Sequence, residues 1–224
     1  MNAAQHTPAR SARRRTTRLA AAAALLLLPA TALGALAVPA QAASSCTVNG
    51  VPQPGPVING TPGNDTVICS FLDTGHVINA LAGNDTITFS GDIRGRLNAG
   101  DDADAITTNR GSHLFPEGDL DGQFGRDRIT ISGTVEGKVR GGQDSDQIDL
   151  ENATTAQSTL VRGARGDDRI TFRSGVVNKG SVEGFDGNDV IVVPDNQGVV
   201  DGGAGVDICH VGGNPPLNCE VRRR

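Results

Sequence analysis

The chain has no tryptophan and no tyrosine, and only six phenylalanines among 224 residues. Its single methionine is the first residue, and its only lysines are Lys138 and Lys179. So few rings exclude the aromatic-lined pockets of most small-molecule enzymes. They also argue against stacking platforms for sugars or single-stranded nucleic acid. No HExxH, GxSxG or CxxC occurs, so a zincin protease, an α/β-hydrolase and a zinc or redox site all lack their signature. Beyond the first 42 residues, no apolar run approaches the roughly 18 residues needed to span a bilayer. What abounds is glycine, with 30 residues, and acid, with 25. High glycine with few large side chains points to repeats, turns or disorder.

Charge is divided along the chain. Residues 1–42 carry Arg10, Arg13, Arg14, Arg15 and Arg18 and no acid. The remainder therefore keeps 15 basic against 25 acidic residues, a formal charge of −10. Such a surface repels phosphate backbones and suits cations, so nucleic acid is not an expected partner. The first 42 residues have the layout of an export signal. A basic segment ends at Arg18, an apolar run follows from Leu19 to Leu28, and Ala40-Gln41-Ala42 supplies a small-x-small cleavage pattern. We expect a signal peptide over 1–42, an N-terminal cap over 43–55, repeats over 56–211 and a C-terminal cap or tail over 212–224. The expected product is extracellular, with no membrane association after cleavage. Arg13-Arg14-Arg15 leaves the twin-arginine and general export routes both open.

Four cysteines follow the signal: Cys46, Cys69, Cys209 and Cys219. An even number in an exported chain favours two disulfides. Of three possible pairings, Cys46–Cys69 with Cys209–Cys219 is preferred, since each pair is local and lies at one end.

An aspartate recurs in one context at Asp65, Asp85, Asp104, Asp127, Asp146, Asp168, Asp189 and Asp207, with gaps of 18 to 23 residues. Seven residues before each stands an aliphatic: Ile58, Ile78, Leu97, Leu120, Val139, Val161, Val182, Val200. Five before is always Gly or Ala, and two before is Gly except at Asp102 and Asp144. Two after come Val67, Ile87, Ile106, Ile129, Ile148, Ile170, Ile191 and Cys209. Positions two and four after the aspartate alternate with polar ones, the period of a strand buried on one face. The glycines before it mark a tight turn. A unit of two short strands cannot bury its own apolar face, but stacked units can. The pattern predicts an all-β fold, a parallel β-solenoid (β-roll or β-helix) of about eight coils of roughly 20 residues each. At a strand spacing of about 4.8 Å this gives a rod roughly 35–40 Å long.

Gly202-Gly203-Ala204-Gly205-Val206-Asp207 resembles the glycine-rich nonapeptide of the RTX, or haemolysin-type, calcium-binding proteins, and Gly141-Gly142-Gln143-Asp144-Ser145-Asp146 is similar. The turns at Gly60 and Gly184 are looser matches, and the resemblance extends over about residues 56–211. It implies Ca²⁺ held between successive turns, with the eight aspartates as side-chain ligands and turn carbonyls completing an oxygen shell. Asp102 and Asp144 would each add a carboxylate. Eight turns have seven gaps, so seven ions is the ceiling, in one row because only one side of each coil carries the motif. Ala80 and Ala99 depart from the family's first glycine, and Leu81, Gln123 and Phe185 from its second.

Electrostatics favours a cation independently. Carboxylates stacked about every 4.8 Å repel by roughly 3 kcal/mol per neighbouring pair at an effective dielectric near 20. Such a row needs cations, raised pKa values or hydrogen bonds to turn amides. Local capping of turns by the aspartates, without metal, is the structural alternative.

Catalysis has thin support. His76, His113 and His210 fall in no known motif, and Ser112-His113 is an isolated pair. The enzymatic alternative is a parallel β-helix polysaccharide lyase with Arg128 or Arg169 as base. A surface or matrix adhesion module, binding an envelope or extracellular polysaccharide or protein, is another. Thr88, Thr107, Thr130 and Thr171 share one outward position, as in ice-binding solenoids, but Ile68, Asp149, Val192 and His210 interrupt them, and β-propensity explains them better. We expect a non-enzymatic protein.

Overall fold

The structure is a computed structural model that describes residues 44–223. The expected signal peptide lies outside the described residues. Among those residues there is no helix, and the fold is a parallel β-solenoid of eight coils. Two sheets run the length of the rod. One has eight strands, from Val57–Asn59 to Val199–Ala204. The other has fourteen and includes the short strands of a third side, such as Asp92–Ile93 and His113–Leu114.

Register follows the repeat. In the eight-stranded sheet Ile58, Ile78, Leu97, Leu120, Val139, Val161, Val182 and Val200 are successive partners. In the larger sheet Val67, Ile87, Ile106, Ile129, Ile148, Ile170, Ile191 and Cys209 form the facing ladder. Every member of both ladders is fully buried. A slip of one residue would turn each ladder to solvent, which is why in-phase aliphatics determine the stacking. Phe89 and Phe172 are the largest side chains wholly inside. The third side adds an inward column that begins with Leu72, Ile93, Leu114 and Val135 and ends with Asn178 and Asn196. There the Asn178 amide donates to Asn196 Oδ1 at 2.8 Å and to the Val199 carbonyl at 3.1 Å, so its burial is compensated.

Both ends are closed by chain. Ser45–Val48 and Val51–Gln53 form a hairpin whose first strand lies antiparallel to Thr66–Phe71. Its turn residues Asn49 and Gly50 both have positive φ, as a two-residue hairpin loop requires. The Cys46 and Cys69 sulfurs are 2.06 Å apart and those of Cys209 and Cys219 2.01 Å, so the local pairs stand at disulfide distance. At the other end Val221–Arg223 adds a last parallel strand beside Ile208–Gly213.

Between the two sheets each of the last seven coils turns through two left-handed residues, four and two positions before its aspartate. Glycine fills many of these places for steric reasons. A Cβ on Gly187, at φ 145°, would sit 1.8 Å from the Gly166 carbonyl oxygen of the previous coil. Gly175, at φ 87°, has no atom within 4 Å of the same position. Gly187→Ala should therefore cost about 3 kcal/mol or more, by overpacking added to left-handed strain. Gly175→Ala should cost only about 1–2 kcal/mol, from strain alone. Urea denaturation of the two variants checks this, and equal losses would refute the stacking account.

Candidate metal-binding edge

The turn between the sheets brings Asp65, Asp85, Asp104, Asp127, Asp146, Asp168, Asp189 and Asp207 into one file along the rod. All eight are at most 3 % exposed. They are held there by a side-chain ladder. Oδ1 of each aspartate from Asp85 to Asp207 accepts the backbone N–H of the aspartate one coil earlier, at 2.7 to 2.8 Å. The file is closed at both ends by residues the repeat does not include. Asn49 of the hairpin donates its side-chain amide to Asp65 Oδ1. Glu220 Oε2 accepts the Asp207 N–H at 2.7 Å, in the place a ninth aspartate would fill.

The second carboxylate oxygen is treated differently. In the first coil Asp65 Oδ2 accepts the Thr61 N–H. In the other seven, Oδ2 is buried and has no hydrogen-bond partner among the described residues. In Asp127, Asp168 and Asp189 it lies against the glycine five residues earlier, where a Cβ on Gly122, Gly163 or Gly184 would come within 2.1 to 2.2 Å of it, whereas Ala80 and Ala99 hold that place before Asp85 and Asp104. None of the described ion pairs reaches an aspartate of the file.

Burial raises the pKa of these carboxyls above 3.8, the ladder amide opposes the rise, and neighbouring carboxylates add to it. Asp85 and Asp189 are pushed up to about 6, Asp104, Asp127 and Asp168 to about 7, and Asp146 to about 8. Asp207 moves in the same direction, again through burial first.

Asp102 and Asp144 sit outside the file. Both are exposed, in the left-handed position two before the aspartate, with φ of 78° and 75°. Asp102 Oδ2 accepts the Gly83 N–H at 3.2 Å. Leu81, Gln123 and Phe185, which depart from the second glycine, nevertheless adopt its left-handed conformation, with φ of 88°, 78° and 82°. A second, outer ladder is not evident from the repeat. Asn64 Oδ1 accepts the Asn84 N–H at 2.9 Å, Asn84 Oδ1 the Ala103 N–H at 3.0 Å, and Asn188 Oδ1 the Val206 N–H at 3.0 Å. Read from spacing alone, asparagine just before the aspartate suggests only tolerance of turn geometry. Among the described residues, no three His, Cys, Asp or Glu side chains converge into a ready cage for a metal. The carboxylates form a line.

The catalytic candidates are dispersed. Arg128 is paired with the buried Asp149 at 3.3 Å. The Ser112 hydroxyl donates to the Phe89 carbonyl at 3.0 Å, and the His113 ring stacks on Phe115 at 3.7 Å. Comparison with models of known protein families, with curated proteins and with solved structures yields no match for this chain.

Because the folded carboxyls hold protons that the unfolded ones release, their contribution is complete below about pH 4 and is lost as pH rises through about 6 to 8. In chelator, the melting temperature should fall between about pH 5 and about pH 8. Asp146→Asn, which carries no charge at that place, should flatten the slope and melt higher than the parent at about pH 8. A melting temperature that rises over this range, with no difference in the variant, would contradict the buried file.

Proposed function

We propose that this is an exported, non-catalytic calcium-binding solenoid, similar in kind to RTX repeat proteins. It binds Ca²⁺ along the aspartate edge, between successive turns, and serves a structural or surface-interaction role. The observation that carries the proposal is the file of seven buried Oδ2 atoms that have, among the described residues, no hydrogen-bond partner and no paired arginine or lysine. A buried unpaired charge is costly, and a divalent cation compensates for it directly. The available donors are all oxygen, carboxylate and turn carbonyl, as a hard cation prefers. Asp65, Asp85, Asp104, Asp127, Asp146, Asp168, Asp189 and Asp207 would be the ligands, with Asp102 and Asp144 reaching in from the rim. A bound ion supplies charge neutralisation and a tie between coils, which couples metal to folding. The two cysteine pairs at disulfide distance support an oxidising, extracellular setting, and the acidic surface again argues against nucleic acid. A polysaccharide-lyase role is less well supported: of its two candidate bases Arg128 is already paired with Asp149, and Arg169 stands exposed and does not line the hollows beside Phe124.

A second reading is favoured by one specific observation: the carboxylate–amide ladder is continuous from Asn49 to Glu220. On that reading the aspartates are protonated turn locks and need no metal.

Calorimetric titration and thermal melting of the mature protein separate the two. Extracellular calcium modules bind at about 10⁻⁴–10⁻³ M. About 10 mM calcium should then stabilise the fold by about 1–3 kcal/mol for each site filled, with a stoichiometry above one and at most seven, reduced in Asp146→Asn. No heat of binding and an unmoved melting temperature at about pH 8 would leave the metal-free ladder as the function of these residues.

A further inference from the structure

The eight-stranded sheet has an outer face that the calcium reading does not use. Four residues before the aspartate, its strands carry Leu81, Gly100, Gln123, Gly142, Ala164 and Phe185 in turn. Where this position is glycine or alanine the surface falls away. The result is two hollows of about 510 and 310 Å³ on either side of Gln123 and Phe124, which line both. Phe124 is 47 % exposed and stands between them. Of six phenylalanines, two fill the core, yet this one and Phe185 are presented to solvent on the same face. In the larger hollow Asn79 and Asn98 form a side-chain ladder with Asn59, donating at 3.1 and 2.9 Å along the rod. The smaller hollow adds Gln143.

We infer that this face is a binding groove for a linear neutral polysaccharide, with Phe124 as the platform for a sugar ring and the amides of Asn79, Asn98, Gln123 and Gln143 as hydroxyl partners. Carboxamides both donate and accept, as sugar hydroxyls do, so each can complete two hydrogen bonds with a polyol. The groove is close to electrically balanced. Arg140 bridges Asp119 at 2.7 Å and Asp121 at 3.0 Å, Arg96 lies 3.7 Å from Asp119, and the exposed Arg165 faces Asp186 at 4.0 Å, so most charges on this face are paired and Asp101 stands exposed at one end. That balance selects an uncharged ligand over a phosphate or a polyuronate. Sugar-bearing ligands also fit the repeat, because successive coils present polar groups about every 4.8 Å to a polymer lying along the axis. The scarcity of aromatics does not prevent this, since one exposed ring between two hollows suffices for a platform.

The inference stands apart from metal binding and is tested separately, by native electrophoresis of the mature protein in gels containing hydroxyethylcellulose, glucomannan or dextran. A polygalacturonate gel serves as the acidic comparison. Each gel is run with calcium and with chelator, at a temperature where melting shows the protein folded. At least one neutral polymer should retard the protein. Phe124→Ala should weaken that retardation about fivefold or more, as loss of a central aromatic anchor does. Phe124→Trp should retain it, and Ile68→Ala, an exposed apolar residue on the other sheet, should leave it unchanged. Retardation by none of the neutral polymers, by polygalacturonate alone, or equally in parent and Phe124→Ala would overturn the inference. A missing calcium effect in the same gels would bear on the metal alone.

Discussion

Each coil of this protein is fastened to the next by a hydrogen bond that passes through an aspartate side chain. The peptide N–H at that position faces along the rod, at a corner where the sheets end and no strand continues the backbone ladder. The Oδ1 of the next coil's aspartate supplies the acceptor instead. A buried amide left unsatisfied costs about 1–3 kcal/mol, so this one residue type lets the chain leave a sheet without leaving an orphan. Aspartate is short enough to stay within the turn, and in six coils its second oxygen lies close to the glycine five residues earlier, a place that Ala80 and Ala99 fill in the other two. A carboxylate used as an amide acceptor, however, brings a formal charge and a spare oxygen into the interior. The unusual protonation and the proposed metal affinity both descend from that surplus.

The same close stacking determines what surrounds the file. Successive turns approach until one coil's carbonyls touch the next coil's Cα atoms, as Leu81 does at Gly100 and Asp102 at Gly125. Side chains are excluded from those contacts, which makes the glycine content a consequence of turn geometry. The interior between the sheets is correspondingly narrow. It is filled by Ile, Val and Leu, with Phe89 and Phe172 the only wholly buried rings among the described residues. Little of the order comes from a wide apolar core, and much comes from the parallel backbone ladders and the polar ladders of Asp and Asn at the corners.

This explains which features could be read in the sequence. The two aliphatic ladders, the turn and the single file of aspartates all recur once per coil, so aligning eight copies gives register directly. Position-specific features do not recur and carry no such signal. Glu220 lies 13 residues after Asp207, short of any repeat gap, and Asn49 belongs to a hairpin outside the period; yet they close the two ends of the file. The third side varies in length between coils, and its inward column changes from Leu to Asn along the rod. The left-handed conformation of Leu81 and Phe185 is imposed by neighbouring coils against their own preference. Asp102 and Asp144 match their pattern but lie exposed at the rim of the turn, outside the buried file. A spacing identifies their place in the coil without identifying the direction of the side chain.

The division between edge and face follows from these same constraints. At the turn, every coil must present nearly the same backbone, so even Leu81, Gln123, Ala164 and Phe185 are held in left-handed geometry there. On the outer face of the sheet, strands require only that alternate side chains point away from the core. Residues such as Asn79, Asn98, Arg140 and Arg162 can therefore differ from coil to coil without disturbing the stack. The repeated geometry of the edge suits the repeated ligand proposed for it, a small cation taken once per gap. The variable face suits a ligand recognised at particular coils, as the hollows beside Phe124 would do. A solenoid can thus separate what stabilises the rod from what the rod displays, because the two sets of residues occupy different positions of one repeat.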